Sequence, residues 1–227
     1  MSKYIIVGDV ETAPMDKNFK GVSPRNMMVY DFGWIVCDKK GNVIIARSYI
    51  NIDVFVYEKE LMKSAYYKEK VPQYWEQIKN GESKLATLNT IRKQYWADVE
   101  EYGVDETYFH NAYFDVNALN NTQRYETKSK YRWFFPYDMK LCDSLKMSRD
   151  VIGKMPTYKK FCEENGYMTK HKTPRPRLTA EILYRFISGN NEFVEEHKGL
   201  DDVMIEKEIV AYCYRQHKKM RKALYEK

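Results

Sequence analysis

An apolar run near the N-terminus, Tyr4 to Val7, leads into two carboxylates, Asp9 and Glu11, that lie two residues apart. The run predicts a buried β-strand, and because strand side chains alternate between faces, both acids project to one side while Val10 enters the other layer. Two neighbouring carboxylates repel each other unless a cation lies between them, so the pair suits a divalent-metal site with oxygen ligands. Taken alone, the pair is better explained as a hydrated polar strand end.

The length and the apolar pattern of the chain favour one cytoplasmic domain. The 227 residues are enough to bury a sizeable core, and we expect a single domain over residues 1–227 that includes a helical insertion at 58–103. The sequence shows neither a charged leader followed by an apolar segment nor a long uncharged apolar run. We therefore expect a soluble cytoplasmic protein that is not secreted and does not span a membrane.

Charge and cysteine content narrow the classes of partner and site. Lysine and arginine outnumber aspartate and glutamate by 38 to 32, an excess that favours a polyanionic partner, although many proteins without such a partner are equally basic. The cysteines are scattered, without a Cys-x-x-Cys pair or a histidine at zinc-like spacing, which predicts reduced structural thiols. They are Cys37, Cys142, Cys162 and Cys213.

Apolar stretches and turn residues predict a mixed sheet. Residues 27–36 and 43–49 indicate two strands joined by a turn at 38–42, so they form a hairpin beside the first strand. Short strands are also predicted at 106–109 and 137–142, which makes five strands in all. Helical patterns cover residues 58–103, 110–119, 143–151, 157–165 and 179–188, and a last helix begins near Leu200.

Two further acidic positions stand far from the first pair in the sequence, each at a comparable place in the predicted fold. Asp115 lies in the first turns of the helix that follows the fourth strand. Asp202 lies on the first turn of the last helix, five residues after His197. Because open α/β sheets place their ligand crevices at the carboxyl ends of strands, we expect four carboxylates and one imidazole to converge there.

These residues resemble the DEDDh family of 3′–5′ exonucleases, which has a ribonuclease-H-like fold and includes the proofreading epsilon subunit of bacterial DNA polymerase III. Gly8 to Thr12 is similar to the first motif of the family, His110 to Leu119 to the second, and His197 to Asp202 to the third. Each motif alone is weak, so their order, spacing and structural context together carry the resemblance, which runs nearly from end to end.

The third motif distinguishes the branches of this family. Lys198 stands where the tyrosine branch has its tyrosine, four residues before the last aspartate, so His197 selects the histidine branch. Asp201 and Asp202 are adjacent, and the family spacing together with the following Val203 favours Asp202 as the site residue. Asp201 is then expected to face solvent or to cap the helix.

The resemblance implies a mixed five-stranded sheet flanked by helices, with the helical insertion between strands 3 and 4. It also implies a two-metal-ion nuclease that uses Mg²⁺ or Mn²⁺ to remove nucleotides from the 3′ end of single-stranded or frayed DNA, releasing nucleoside 5′-monophosphates. By resemblance, Asp9 would bridge both ions, Glu11 and Asp202 would complete one, and Asp115 would support the other. His197 would be the general base.

The expected partner is single-stranded nucleic acid with a free 3′ end, with DNA favoured over RNA, and the resemblance also allows a DNA polymerase as a partner. The basic loop 169–177 could hold phosphates, although a merely solvated loop explains it nearly as well. His110 and Asn111 either touch the substrate backbone or orient their loop. The substrate-binding candidates are Thr12, His110, Asn111, Lys172, Arg175 and Arg177.

Two alternative functions remain open on the sequence. An RNA-trimming 3′–5′ exoribonuclease of the same fold would carry the same motifs, because selection for the sugar depends on the shape of the pocket around the terminal hydroxyls. A non-catalytic nucleic-acid-binding module that assists a polymerase would keep the fold without the chemistry. The complete set of five site residues argues against this second alternative.

Overall fold

The computed structural model describes residues 3–15 and 23–225 and places a mixed sheet between layers of helices. Strands β1 to β3 are antiparallel neighbours, whereas β4 pairs in parallel with β3, β5 with β1, and β6 with β5. The order across the sheet is β4-β3-β2-β1-β5-β6. The strands within the described ranges are β1 Tyr4–Pro14, β2 Met27–Asp38, β3 Val43–Asn51, β4 Lys84–Ala86, β5 Glu106–Phe109 and β6 Lys140–Asp143. The predicted mixed α/β architecture is confirmed.

The helices cover both faces of the sheet, and two short 3-10 turns, Pro24–Asn26 and Lys68–Lys70, join elements. The α-helices within the described ranges are α1 Ile52–Phe55, α2 Lys59–Met62, α3 Val71–Asn80, α4 Leu88–Glu101, α5 Ala112–Thr127, α6 Ser144–Val151, α7 Pro156–Glu164, α8 Ala180–Ser188 and α9 Gly199–Arg215. None of these helices combines the length and the apolar character that crossing a membrane requires.

The sheet has one strand more than the five predicted. Lys84–Ala86 lies inside the segment 58–103, where helical periodicity was expected throughout, and pairs in parallel with Tyr49–Asn51. A three-residue edge strand is too short to show a period of two in the sequence, and the distant β3 supplies its hydrogen bonds. The predicted strand 137–142 begins later than expected, at Lys140, because a turn at 136–139 precedes it.

The alternation of side chains along β1 divides the core into two layers. Ile6 and Val10 pack in the layer that contains residues of α4 and α5. Ile5 and Val7 pack in the opposite layer, with residues of α6 to α9. Burying these apolar side chains on both faces fixes the register of the strand, because a slip by one residue would exchange the two layers.

The final helix meets the sheet at two glycines. A Cβ atom placed on Gly33 of β2 would lie 2.3 Å from the backbone nitrogen of Leu200, and one placed on Gly199 would lie 2.8 Å from the nitrogen of Gly33. The Gly199 N–H also donates a 2.9 Å hydrogen bond to Asp31 Oδ2 on the same strand. This close backbone approach, which only glycine permits, brings the first turn of α9 against the strand beside β1.

Candidate active site

An open cavity of about 1080 Å³ lies where β1, α5 and α9 come together. Its lining includes all five residues that the sequence motifs singled out, although these residues span most of the chain. They are Asp9, Glu11, Asp115, His197 and Asp202. The structure thus brings the three motifs to one place, while the role of each residue stays a prediction.

Strand β1 contributes Asp9 and Glu11. Asp9 lies opposite Gly33 and Glu11 opposite Asp31 in the antiparallel pair with β2, so both carboxylates share the face that α9 covers. Val10, between them, is buried in the other layer, as predicted. A register shift directly after Glu11 ends the regular pairing at this point.

Helix α5 contributes Asp115 from its first turn. The backbone of Asn111 adopts a left-handed conformation, with φ of 68°, and turns the chain from β5 into the helix. The Asn111 N–H donates to Asp143 Oδ1 at 3.2 Å, and the same carboxylate oxygen accepts from Leu145 N–H at 2.9 Å. Asp143 therefore links the start of α5 to the start of α6 and fixes the position of Asp115.

Helix α9 contributes Asp202, and its neighbour Asp201 points elsewhere. Asp202 is buried and lines the cavity, whereas Asp201 is exposed, with Oδ2 lying 3.8 Å from Lys198 Nζ. The Gly33–Gly199 contact holds the first turn of this helix against the sheet, so the register of α9 directs Asp202 inward. Asp202, rather than Asp201, therefore lies in the cavity, and its role stays a prediction.

His197 lies in an irregular segment just before α9. Its φ of +50° is a left-handed conformation that a non-glycine residue adopts only when surrounding contacts support it. Two contacts do so: the His197 N–H donates to Asp202 Oδ1 at 3.2 Å, and the imidazole stacks on Tyr67 with ring centroids 4.5 Å apart. The Lys70 ammonium also donates to the Glu196 carbonyl oxygen. Residues of the 58–103 segment thus hold the His197 segment in place.

Burial and mutual repulsion raise the pKa values of the cavity carboxyls. The pKa of Asp9 is raised well above its ordinary value. Burial is the largest cause of this increase, followed by the charges of Glu206 and Asp115. The pKa of Glu11 is raised by burial and then by Asp31 and Asp202, and that of Asp115 is raised mainly by burial. Such a group of buried acids stays charged only if cations neutralise it.

The donor set fits a divalent cation. Glu11, His197 and Asp202 each offer one ligand atom, and these atoms lie within 4.8 Å of one another. Carboxylate oxygens are the ligands that Mg²⁺ and Mn²⁺ prefer, and Glu206 Oε2, on the same cavity wall, is buried without a hydrogen-bond partner. The residues present therefore fit a divalent cation that prefers oxygen ligands.

Comparison with known proteins finds similar structures and no similar sequence family. No family model matches the chain, and no curated protein matches it. Escherichia coli exonuclease I bound to a 5cy-dT13 oligonucleotide has a TM-score of 0.55 at 15% identity, over 96% of this chain and 41% of that one. Exonuclease I from Methylocaldum szegediense has a TM-score of 0.54 at 16% identity, over 95% of this chain and 41% of that one. This chain therefore shares its fold with these exonuclease I structures.

The exonuclease fold is shared at low sequence identity and over part of the compared chains. A zinc-bound form of the E. coli exonuclease I complex with single-stranded DNA has a TM-score of 0.54 at 14% identity. The match covers 95% of this chain and 41% of the exonuclease I chain. This chain therefore spans about two fifths of the length of the exonuclease I chains that it matches.

Within this fold, the basic loop 169–177 reaches the acidic cavity. Arg175 and Arg177 line the cavity, whereas Lys172 is exposed and lies outside the lining. The Thr169 N–H donates to the Arg175 carbonyl oxygen at 2.8 Å, and Met168 and Pro176 form a β-bridge, so the loop is closed at its base. Arg149, which the sequence interpretation did not single out, and His171 of the loop also line the cavity.

The remaining substrate-binding candidates differ in their contacts. His110 has both ring nitrogens within hydrogen-bond distance of protein atoms, Nδ1 at 2.9 Å from Ser144 Oγ and Nε2 at 2.8 Å from the Leu178 carbonyl oxygen. These contacts make it a link between α6 and the end of the basic loop. The Asn111 residue is exposed at the cavity, while Thr12 is half-buried and lies outside the lining.

The sequence interpretation also missed Tyr67 and Glu206, which line the acidic part of the cavity. Tyr67 lies in the 58–103 segment, which showed no motif, and only the tertiary structure places its ring on His197. The sequence does contain a signal for Glu206. It follows Asp202 by one helical turn and interrupts the apolar face of a buried helix.

Proposed function

We propose that this chain is a metal-dependent exonuclease that hydrolyses phosphodiester bonds at the 3′ end of single-stranded or frayed DNA and releases nucleoside 5′-monophosphates. The observation that carries the proposal is the convergence of four carboxylates and one imidazole on a cavity that also has a basic wall. The direction of cleavage and the product rest on the resemblance of the three motifs to the DEDDh family. A DNA polymerase as partner remains a prediction.

The carboxylates would hold two divalent cations, Mg²⁺ or Mn²⁺. The proposed ligands are Asp9, Glu11, Asp115 and Asp202, which start from three rigid elements and therefore keep their relative positions. When bound, divalent cations would neutralise the charge of the scissile phosphate and lower the pKa of the attacking water.

His197 is proposed as the general base that removes the proton from this water. Burial and the nearby charge of Lys70 lower the pKa of His197, so the neutral imidazole, which can accept a proton, predominates at neutral pH. Glu195 Oε2 lies 3.8 Å from His197 Nδ1, where a carboxylate stabilises the protonated ring once the proton has been taken.

The basic wall would hold the substrate. Arg175 and Arg177 present guanidinium groups, which bind phosphate oxygens through paired N–H donors. Arg149 of α6 offers a third guanidinium group in the same cavity. Asn111, exposed at the cavity, is proposed to contact the substrate backbone, and His110 to position the basic loop through Leu178.

A degradation assay with labelled oligonucleotides tests the proposal. The 5′-labelled single-stranded DNA should be shortened stepwise with Mg²⁺ or Mn²⁺ and stay intact with chelator. The substitution Asp202→Asn should abolish most of the activity, whereas Asp201→Asn, its exposed neighbour, should retain it. His197→Ala should lower the rate by about a hundredfold or more. If no metal condition shortens the DNA, or if Asp202→Asn is as active as Asp201→Asn, the proposal is wrong.

Two variations of this assay identify the substrate. A DNA oligonucleotide with a blocked 3′ terminus should resist degradation, and cleavage of that substrate from its 5′ end would contradict the proposed direction. A matched RNA oligonucleotide should be degraded more slowly than DNA. Faster degradation of RNA would favour the exoribonuclease alternative, since the same site chemistry serves either sugar.

A further inference from the structure

Glu206 is a further acidic side chain of the cavity and belongs to none of the three sequence motifs. It lies on α9 one turn after Asp202, so the two carboxylates share a helix face. Only 3% of its surface is exposed, and it lines the same cavity as Asp9 and Asp115. Its position is therefore fixed by the same helix that positions Asp202.

The contacts of Glu206 leave one carboxylate oxygen without a partner. The backbone N–H of His110 lies near the side chain and lowers its pKa, whereas Oε2 is buried and accepts no hydrogen bond. Within residues 3–15 and 23–225, no lysine or arginine forms an ion pair with it, and the adjacent Lys207 pairs with Glu208 instead. A buried carboxylate in this condition is strongly destabilising unless a cation approaches it.

The largest charge effects on Glu206 come from other acids. Asp115, Asp202 and Glu195 raise its pKa, and Glu206 in turn is the charge that raises the pKa of Asp9 most. The surrounding positions of the helix, such as Val203 and Ile209, are buried and apolar. A helix face that only had to pack would continue this apolar pattern, so the carboxylate points to a role in binding a cation.

We propose that Glu206 is a further carboxylate ligand of the divalent-cation centre, beside Asp9 and Asp115. This inference rests on the proposed function, because it concerns the same cavity. It extends the ligand set from the four acids of the sequence motifs to five, and it gives the unpartnered Oε2 atom a binding partner. The centre would then bind Mn²⁺ or Mg²⁺ more tightly than the four motif acids alone.

Direct measurement of Mn²⁺ binding to the full chain, by isothermal titration calorimetry and by the electron paramagnetic resonance signal of free Mn²⁺, tests this assignment. Glu206→Gln should weaken Mn²⁺ binding by about ten- to a hundredfold or remove one ion from the stoichiometry. The matched control is Glu208→Gln on the same helix, which lies outside the cavity lining and should bind Mn²⁺ as the unsubstituted protein does. Equal Mn²⁺ affinity and stoichiometry in all three proteins would overturn the proposal.

Thermal denaturation tests the same assignment of Glu206 without an activity assay. In chelator, Glu206→Gln should melt at a higher temperature than the unsubstituted protein, because a glutamine is buried without either desolvating a charge or taking up a proton. Added Mn²⁺ should raise its melting temperature less. If Glu206→Gln does not fold, Glu206→Met provides the neutral side chain of similar volume, and retained Mn²⁺ affinity in that variant would equally overturn the proposal.

The two proposals fail in distinguishable ways. If the unsubstituted chain degrades no oligonucleotide but binds Mn²⁺, and Glu206→Gln weakens that binding, then Glu206 is a ligand and the nuclease function is wrong. If the chain is an active nuclease and Glu206→Gln binds Mn²⁺ normally, then the nuclease function stands and the fifth ligand is wrong. Absence of Mn²⁺ binding by the unsubstituted chain would overturn both.

Discussion

The acidic part of the cavity and the loop that carries His197 are held in place by different means. The acids start from β1, α5 and α9, and the backbone contact between Gly33 and Gly199 fixes the last of these elements. The His197 loop, residues 193–198, has no regular structure, and His197 itself adopts a positive φ. Regular elements with short backbone contacts keep carboxylates fixed despite their mutual repulsion.

The loop depends on side chains from a distant segment. Tyr67 stacks on the imidazole and Lys70 donates to the carbonyl of Glu196, so both supports come from the segment 58–103. This segment therefore does more than cover the sheet. Side-chain contacts can be removed one at a time without changing the backbone. We therefore expect substitutions of Tyr67 or Lys70 to change activity, and substitutions at the Gly33–Gly199 contact to change stability.

The largest effect is expected where Gly33 of β2 meets the first turn of α9. In Gly33→Ala, the new Cβ atom would overlap the backbone nitrogen of Leu200, which lies 2.3 Å away, so β2 and α9 must separate. We expect a loss of about 3 kcal/mol in the free energy of unfolding, measured with denaturant. Gly81→Ala is the control, because its Cβ meets no atom within 4 Å and only its φ of +77° is unfavourable, which costs about 1 kcal/mol. Equal losses in both variants would contradict the importance of this contact.

The pH dependence of stability tests the burial of acidic side chains in and beside the cavity. Burial raises the pKa of Asp31 to about 6 and the pKa of Glu195 to about 7, and it also raises the pKa of Asp9. A carboxyl with a raised pKa in the folded protein stabilises it fully below its ordinary pKa of about 4, and this contribution is lost as the pH rises through the folded value.

In chelator, the melting temperature should therefore fall by about 5 °C between about pH 5.5 and about pH 8. Mn²⁺ should reduce this fall, because it neutralises the same charges, and Asp9→Asn should reduce it in chelator. A melting temperature that rises over this interval in metal-free protein would contradict the assigned direction.

The support of His197 by Tyr67 should affect catalysis more than stability. We expect Tyr67→Ala to lower the rate of DNA degradation by about tenfold, because the freed imidazole spends less time in the reactive position. Tyr67→Phe keeps the stacking ring and should restore the rate. Tyr66→Ala is the control, since Tyr66 is 78% exposed and touches Tyr67 only at its edge. A tenfold loss in Tyr66→Ala, or normal activity in Tyr67→Ala, would contradict the stacking role.

The smallest effect is expected from the second support of the loop. Lys70→Met removes the hydrogen bond to the Glu196 carbonyl and should lower the rate by about threefold. It should also raise the pKa of His197, measured by NMR titration, because the charge of Lys70 acts with burial to lower that pKa. Lys68→Met, in the same 3-10 turn, is the control. An unchanged titration of His197 in Lys70→Met would show that the ammonium does not act on the ring.

Much of the fold could be predicted from the sequence because the patterns that specify its strands and helices are local. The hairpin of β2 and β3 and helices α6 to α9 follow from apolar periodicity and turn residues, and their bounds differ from the predictions by a few residues at most. The edge strand β4 was missed because three residues carry too little pattern, and its pairing with β3 is decided at long range. The organisation of residues 1–227 as one domain with an insertion stays a prediction.

The same distinction applies to the site. The sequence by itself determined the alternation that turns Asp9 and Glu11 to one face, and the helical starts that carry Asp115 and Asp202, because these depend on neighbouring residues alone. Only the tertiary structure decided that Tyr67 supports His197 and that Glu206 faces the other acids. Those contacts join elements far apart in the chain, and their geometry depends on how β2 and α9 pack together, which no local pattern encodes.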